Sequence, residues 1–247
     1  MPITLINHAT SLPAPELLGE IADAITRQVV AHVISPWGRQ PVTVQVGDAE
    51  QPDPPDPARS IVPVVIFDDA DQAGALGYHD RDPQGRPYAR VFAGPVLEHG
   101  GDWVAGELSV ASVISHEVLE VVIDPFVNLW ADDGSGRLYA LEVADPVEAD
   151  TYRIGGVTVS NFVLPSWFDP GASGPYDQLG LLQQPFALGA GGYAIVAAEG
   201  GVHEIFGSVA PPEWRTETKR HGASRTVWRH RSLGALERRS TASVPSI

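Results

Sequence analysis

One short segment of the chain concentrates residue types that hold metal ions and transfer protons. Residues 115–125 read SHEVLEVVIDP. On a helix, His116, Glu120 and Asp124 would stack along one face at intervals of four residues, so that His116 and Glu120 reach a single cation. Glu117 would lie about 100° around the helix from His116, where it contacts a metal-bound water without being a ligand. This spacing predicts two ligands and a general base, as in metal sites that activate water for hydrolysis.

The segment that carries this motif has the pattern of a buried helix. Residues 107–124 are apolar almost all round, and Pro125 ends them because proline disfavours helical geometry in the residue before it. Charged side chains in such a helix are costly unless they are paired or bind a metal. The alternative to a metal site is a buried histidine whose neighbouring carboxylates cap the helix or pair with Arg137 or Arg153.

A third ligand is expected downstream of the helix. Glu142 lies 22 residues beyond Glu120, and Asp145 follows at an ExxD spacing. This order is similar to that of the gluzincin class of metallopeptidases, in which a Glu at about that distance completes the site and an Asp orients the first histidine. The sequence does not decide which of Glu142 and Asp145 binds the metal. A solvent-facing acidic patch is the alternative.

The same residues resemble a known family, the zincin-like proteins of bacteria and phages. These share a run similar to SHExxExxxDP, here Ser115 to Pro125, followed by ExxD, here Glu142 to Asp145. The resemblance extends to 151–154 and 159–165 and covers about residues 60–200. It implies an α+β zincin-like fold, in which a twisted mixed β-sheet packs on an upstream helix and a metal-binding active-site helix. It also implies a zinc-dependent metallopeptidase.

The motif departs from the well-studied HExxH peptidases at one position. Their second ligand is a histidine, whereas this chain has Glu120. A site with one histidine and two or three carboxylates is harder and more anionic, so Zn²⁺ is favoured less strongly over Mn²⁺ or Ca²⁺. The added negative charge also lowers the Lewis acidity of the metal, so the metal activates a bound water less. This weakens the prediction that the metal site belongs to a peptidase.

The remaining elements predict the domain that positions this helix. Before the motif we expect a helix over 16–34 and strands over 2–6, 42–46, 61–67 and 88–92. After it we expect short strands near 137–143 and 151–160 and a glycine-rich strand over 189–198. The Pro- and Asp-rich residues 48–60 predict an exposed loop. We therefore divide the chain into a zincin-like metal-binding domain, 1–210, and a basic C-terminal extension, 211–247.

Composition and charge limit the classes of partner. The 247 residues include no cysteine, which excludes disulfides and thiolate metal sites. Residues 1–200 carry 8 arginines and no lysine against 27 acidic residues, whereas residues 201–247 carry 7 arginines and one lysine against 4 acidic residues. The acidic body makes nucleic acid an unexpected main partner. The extension is interpreted as a solvated tail, a nucleic-acid arm, or a segment that docks to an acidic partner or another copy.

Membrane and export signals are not visible in the sequence. No run of eighteen apolar residues is present, and the first residues lack both a basic region and a long apolar stretch. We therefore expect no membrane partner. The sequence does not decide whether the protein is located in the cytoplasm or in a virion or other assembly.

Four residues outside the motif are weaker candidates. His79 lies in Gly77-Tyr78-His79-Asp80, before the strand at which zincins add a peptide substrate, but a loop histidine without a role is the preferred interpretation. Tyr139 and Tyr152 flank the Glu142 segment and are candidates for oxyanion donors, with packing preferred. His203 is a candidate distal ligand.

Two hypotheses of function follow. The first is a metal-dependent hydrolase that acts on a peptide or protein substrate, with Glu117 as general base and with His116, Glu120 and Glu142 or Asp145 as ligands. The alternative is a non-catalytic zincin-like structural or binding module, for example within a phage particle. The retained Glu117 favours the enzyme because a purely structural site needs no base, whereas the missing second histidine and the basic tail favour the module.

Overall fold

The structure, a computed structural model, describes residues 2–48, 61–72, 75–199, 201–209 and 229. The helices are α1 Glu16–Gln28, α2 Ile34–Trp37, α3 Ala93–Glu98 and α4 Val110–Ile123. The strands are β1 Ile3–Asn7, β2 Val44–Val46, β3 Val62–Phe67, β4 Gly77–Arg81, β5 Pro87–Phe92, β6 Trp130–Asp132, β7 Leu138–Ala140, β8 Thr151–Ile154, β9 Val157–Ser160, β10 Tyr193–Ala198 and β11 Gly201–Phe206. Single 3₁₀ turns cover Asp145–Val147 and Pro165–Phe168.

The main sheet has five strands in the order β2-β1-β3-β5-β4. The first four are mutually parallel, whereas the edge strand β4 runs antiparallel to β5. The sheet is therefore mixed, and the α+β class predicted from the sequence is confirmed. The strands after α4 form two smaller antiparallel sheets, ordered β11-β10-β7-β6 and β8-β9.

Helices α1 and α4 share one face of the main sheet. Alternate strand residues such as Leu5, Val64 and Val91 are fully buried and form one apolar cluster with residues of both helices. Alternation places every second side chain of a strand on the same face, so this cluster is the layer between sheet and helices. A second cluster, around Leu119 and Trp167, packs the other side of α4 against the later strands.

The motif helix α4 begins and ends at clear local signals. Ser109 is its N-cap, and the Ser109 and Ser112 side chains form a reciprocal capping box with the backbone. The helix ends at Ile123, immediately before Asp124 and Pro125. The helix expected over 107–124 is thus confirmed, but it begins at Val110, three residues later than expected.

The upstream helix follows the predicted pattern with one irregularity. Its α-helical part ends at Gln28, a π-helical turn covers Val29–Val33, and α2 continues to Trp37. Gly38 then adopts a left-handed conformation with φ 58°, which ends the helix as the Pro36-Trp37-Gly38 sequence indicates.

Some elements differ from the expectation. The strands β4, β6 and β11 and the helix α3 were not predicted. The loop predicted over 48–60 lies outside the described residues from 49 onward, as does all of the extension 211–247 except Arg229. No helix in the described part of the chain is long and apolar enough to cross a membrane.

Candidate metal centre

Helix α4 brings its motif residues to the interior of the protein. Glu120 is fully buried and Glu117 is 3% exposed. His116 is the most accessible of the three, with 12% of its side chain exposed. The helix thus carries the predicted base and two predicted ligands into the core, with His116 as the one of the three that reaches solvent.

Asp145 joins His116 and Glu120 in a first group of potential metal ligands. His116 Nε2 lies 3.2 Å from Glu120 Oε1 and 3.1 Å from Asp145 Oδ1. One donor atom from each residue can be chosen so that all three lie within 4.8 Å of one another. Ligands about 2.0–2.1 Å from a tetrahedral zinc ion are themselves about 3.3 Å apart, so these separations suit a cation between them. We call this set site A.

Glu142 belongs instead to a second group, which His79 completes. His79 Nδ1 lies 3.1 Å from Glu120 Oε2, and His79 Nε2 lies 3.6 Å from Glu142 Oε2. Donor atoms of these three residues also lie within 4.8 Å of one another. We call this set site B; it shares Glu120 with site A.

The preferred interpretation of His79 as a loop histidine was wrong. It lies in strand β4, is fully buried and pairs with Ala89 of β5. Directly paired residues project to the same face, and Ala89 is part of the cluster with α4, so His79 points at the motif helix. A signal was available, because the turn at 82–87 separates two short runs that can pair as a hairpin.

Arg229 is a partner of the acidic cluster that sequence reasoning missed. Arg229 is 1% exposed and forms a close ion pair with Glu142. Its Nη2 atom also lies 3.6 Å from Asp124 Oδ2. The alternative partners predicted from the sequence were wrong. Arg137 pairs with Asp133 at the surface, and Arg153 donates to the carbonyl of Gly156.

Asp124, on the same helical face as His116 and Glu120, belongs to neither site A nor site B. Its carboxylate accepts hydrogen bonds from the backbone N–H groups of Asn128 and Leu129 at 2.9–3.1 Å. Asp124, which also lies beside Arg229, therefore stabilises the turn that follows the helix and is not a candidate metal ligand.

The electrostatics of the cluster favour protonated histidines while no cation is bound. Burial opposes the charged form of His79, but Glu142 and Glu120 outweigh it and raise its pKa to about 9. Burial likewise opposes charge on His116, and the neighbouring Glu120 and Asp145 raise its pKa well above 6.5. Burial and the charge of Glu120 raise the pKa of Asp145 to about 7. Excess negative charge is therefore the dominant feature of the site.

Glu117 is held beside both sites by a close contact with the edge strand. Its Oε2 lies 3.8 Å from His79 Nδ1. A Cβ atom on Gly77 would come 2.8 Å from Glu117 Oε1 and 2.9 Å from Val113 Cγ1. A glycine at the start of β4 is therefore what allows the helix and its carboxylate to approach the strand so closely.

A buried hydrogen-bond network fixes the depth of α4 in the fold. Ser115 Oγ donates to Gln28 Oε1 at 2.7 Å and accepts from the backbone N–H of Ser160 at 3.0 Å. Gln28 also donates to the carbonyl of Ser160 and to the Tyr152 hydroxyl. The residue just before His116 is thus tied to α1 and to β9.

The contacts found for the remaining candidates are with residues outside sites A and B. Tyr139 packs edge-on against Trp167 in the second core cluster. The Tyr152 hydroxyl lies 2.9 Å from His32 Nδ1 and accepts from Gln28. His203 is exposed on β11. Packing, the preferred interpretation of the two tyrosines, agrees with these contacts.

Comparison with models of protein families, with curated proteins and with solved structures gave no match to this chain. The resemblance to zincin-like proteins therefore stays a prediction. The candidate metal centre rests on the two groups of donor atoms and their surroundings.

Proposed function

We propose that the protein is a metal-dependent hydrolase with a zincin-like fold, and that it cleaves peptide bonds at site A. The observation that carries the proposal is the meeting of His116, Glu120 and Asp145 donor atoms beside Glu117, on the side of α4 that reaches solvent. The antiparallel edge strand next to the motif helix supports the zincin-like architecture.

The donor atoms of site A fit a divalent cation. Among the described residues, neither oxygen of Glu120 nor Oδ2 of Asp145 makes a hydrogen bond of good geometry, although both residues are fully buried. Buried carboxylates in that state are costly unless a cation satisfies them. One nitrogen and two carboxylate donors suit Zn²⁺, with Mn²⁺ or Ca²⁺ as alternatives. Such a cation would polarise the scissile carbonyl and lower the pKa of an attacking water.

Glu117 supplies the base in this proposal. It follows His116 directly in α4, belongs to neither donor group, and is almost completely buried. A carboxylate in that position would take the proton of the attacking water and return it to the leaving amine. The contact with Gly77 would hold it in place.

The edge strand β4 is the proposed substrate-binding element. In the described part of the chain it pairs with β5 alone and lies against α4. An extended peptide can add to such an edge through main-chain hydrogen bonds. Tyr78, His79 and Asp80 at the centre of β4 are 4%, 0% and 0% exposed, so a peptide would reach the backbone of this edge only after the residues that cover its centre had moved.

Replacement of the base tests the proposal. Purified protein loaded separately with Zn²⁺, Mn²⁺ or Ca²⁺ would be assayed on denatured casein and on a quenched fluorescent peptide library. Glu117→Gln should reduce hydrolysis by about 10²-fold or more with unchanged metal content, because only the proton transfer is lost. Glu98→Gln, at an exposed position of α3, is the control. Equal hydrolysis by the Glu117→Gln variant and the unchanged protein would show that the mechanism is wrong.

A non-catalytic module is the second candidate function, and the burial of the centre favours it. Only His116 among the donors of the two sites is more than 1% exposed, and Arg229 covers Glu142. In that case a bound metal would only stabilise the fold. If the protein is such a module, chelation should lower its melting temperature, and no peptide should be hydrolysed with any of the three ions.

A further inference from the structure

Site B has the features of a ligand site that the proposed hydrolase does not use. His79 and Glu120 are 0% exposed and Glu142 is 1% exposed. Among the described residues, both ring nitrogens of His79 and Oε2 of Glu142 make no hydrogen bond of good geometry. Buried polar atoms in native proteins almost always have partners, so a missing ligand is the simplest account of this cluster.

The orientation of Glu120 connects site B to site A. Its Oε1 faces His116 Nε2 at 3.2 Å, and its Oε2 faces His79 Nδ1 at 3.1 Å. A carboxylate whose two oxygens face different donor groups is placed to bridge two cations, as in two-metal sites. With a single ion at site A, Oε2 of Glu120 and Oε2 of Glu142 would have a protonated His79 as their shared partner in place of a cation.

The charge of the cluster also calls for more than one cation. Five carboxylates, each in contact with a histidine or with Arg229, surround the two sites: Glu117, Glu120, Asp124, Glu142 and Asp145. Arg229 offsets one of these charges, which leaves four when both histidines are neutral. Two divalent cations balance that charge, whereas one ion at site A leaves two negative charges, of which a protonated His79 offsets one.

We propose that His79, Glu120 and Glu142 bind a second divalent cation, and that Glu120 bridges it to the ion at His116 and Asp145. The second ion is enclosed by buried side chains, so it contacts no substrate and instead joins the edge strand β4 to helix α4. The inference goes beyond the proposed hydrolase, because site B would be occupied whether or not the protein cleaves peptides.

Metal counting on the full chain tests the proposal. The protein would be stripped with chelator, dialysed against excess Zn²⁺ or Mn²⁺, freed of loose metal and measured by mass spectrometry of the elements. We expect two ions per chain in the unchanged protein and one ion in both His79→Gln and His116→Gln. The control His203→Gln, at an exposed position on β11, should keep two ions. Circular dichroism would show that each variant is folded.

Each result bears on the proposal. One ion or none in the unchanged protein overturns it without reference to any variant, and so does a folded His79→Gln variant that keeps two ions. One ion together with peptide hydrolysis would leave the hydrolase standing, with His79 as a protonated partner of Glu120 and Glu142. Two ions without hydrolysis would leave site B standing and remove the hydrolase.

Discussion

His79 and Glu120, which are 41 residues apart in the chain, meet at 3.1 Å between Nδ1 and Oε2 in the core. The contact joins the edge strand to the motif helix, while the other oxygen of Glu120 faces His116. It also gives a physical reason for the departure from an HExxH motif. A carboxylate has two oxygens that can serve two neighbours on opposite sides, whereas a histidine at this position would present one nitrogen to the centre.

Removal of Arg229 should destabilise the metal-free protein strongly. Arg229→Met leaves Glu142 and Asp124 buried without their cation, and breaking a buried pair in this way costs about 3–5 kcal/mol. Arg137→Met is the matched control, because Arg137 pairs with Asp133 while its own side chain is 54% exposed, and such surface pairs contribute about 0–1 kcal/mol. Urea unfolding of both variants measures the difference. Equal losses would show that the Arg229 pairs do not stabilise the core.

Gly77→Ala should displace the proposed base. The new Cβ would meet Glu117 Oε1 at 2.8 Å and Val113 Cγ1 at 2.9 Å, so the Glu117 carboxylate and the Val113 side chain must move, or the strand must shift. We expect a loss of about 1–3 kcal/mol in unfolding free energy, as for other overpacked sites. Peptide hydrolysis should fall more than metal content.

A second glycine provides the control for that change. A Cβ on Gly19, in helix α1, meets no atom within 4 Å. Gly19→Ala should therefore raise the unfolding free energy by about 0.5–1 kcal/mol, because alanine loses less conformational freedom in a helix. If Gly77→Ala were as benign as Gly19→Ala, the close approach of β4 and α4 would not constrain Glu117.

The sequence predicted the parts of the structure that depend on local pattern. Helix α4 was recognisable because its apolar residues and the proline that ends it, Pro125, are local signals that lie within one short segment. The placement of His116 and Glu120 on one face follows from their i, i+4 spacing and helix geometry alone. The turn at 82–87 indicates the hairpin that contains His79, but the contact of His79 with Glu120, 41 residues away, and that of Arg229 with Glu142, 87 residues away, depend on how the elements pack together. Local patterns carry no information about such long-range contacts. The choice between Glu142 and Asp145 was open for the same reason.

The stability of the metal-free protein should fall as the pH rises from about 6 to 9. The folded-state pKa of His79, about 9, lies above its unfolded value of 6.5, so its contribution is fully present below pH 6.5 and is lost as the pH passes 9. The pKa of Asp145, raised from 3.8 to about 7, acts in the same direction at lower pH, because stability falls between those two values. The His79 shift corresponds to about 3 kcal/mol at about 1.4 kcal/mol per pKa unit.

Chelator-treated protein unfolded in urea at pH 6.5 and pH 9 measures this dependence. His79→Gln should flatten the curve, whereas His203→Gln should leave it unchanged. With metal bound the dependence should reverse, because the cation competes with protons for the same donors and binds more tightly as the pH rises. A metal-free protein that is more stable at pH 9 than at pH 6.5 would contradict the assignment of charge to the histidines.

Replacement of the two downstream acids, Asp145 and Glu142, should have different effects on peptide hydrolysis and on stability. Asp145 lies with His116, the most exposed donor, so Asp145→Asn should lower both metal content and hydrolysis at the accessible site. Glu142 faces His79 and Arg229 in the interior, so Glu142→Gln should affect stability more than hydrolysis. Paired measurements of metal content, melting temperature and peptide cleavage on the two variants resolve the assignment. If Glu142→Gln removes hydrolysis while Asp145→Asn retains it, Glu142 is the ligand of the catalytic ion and Asp145 only orients His116.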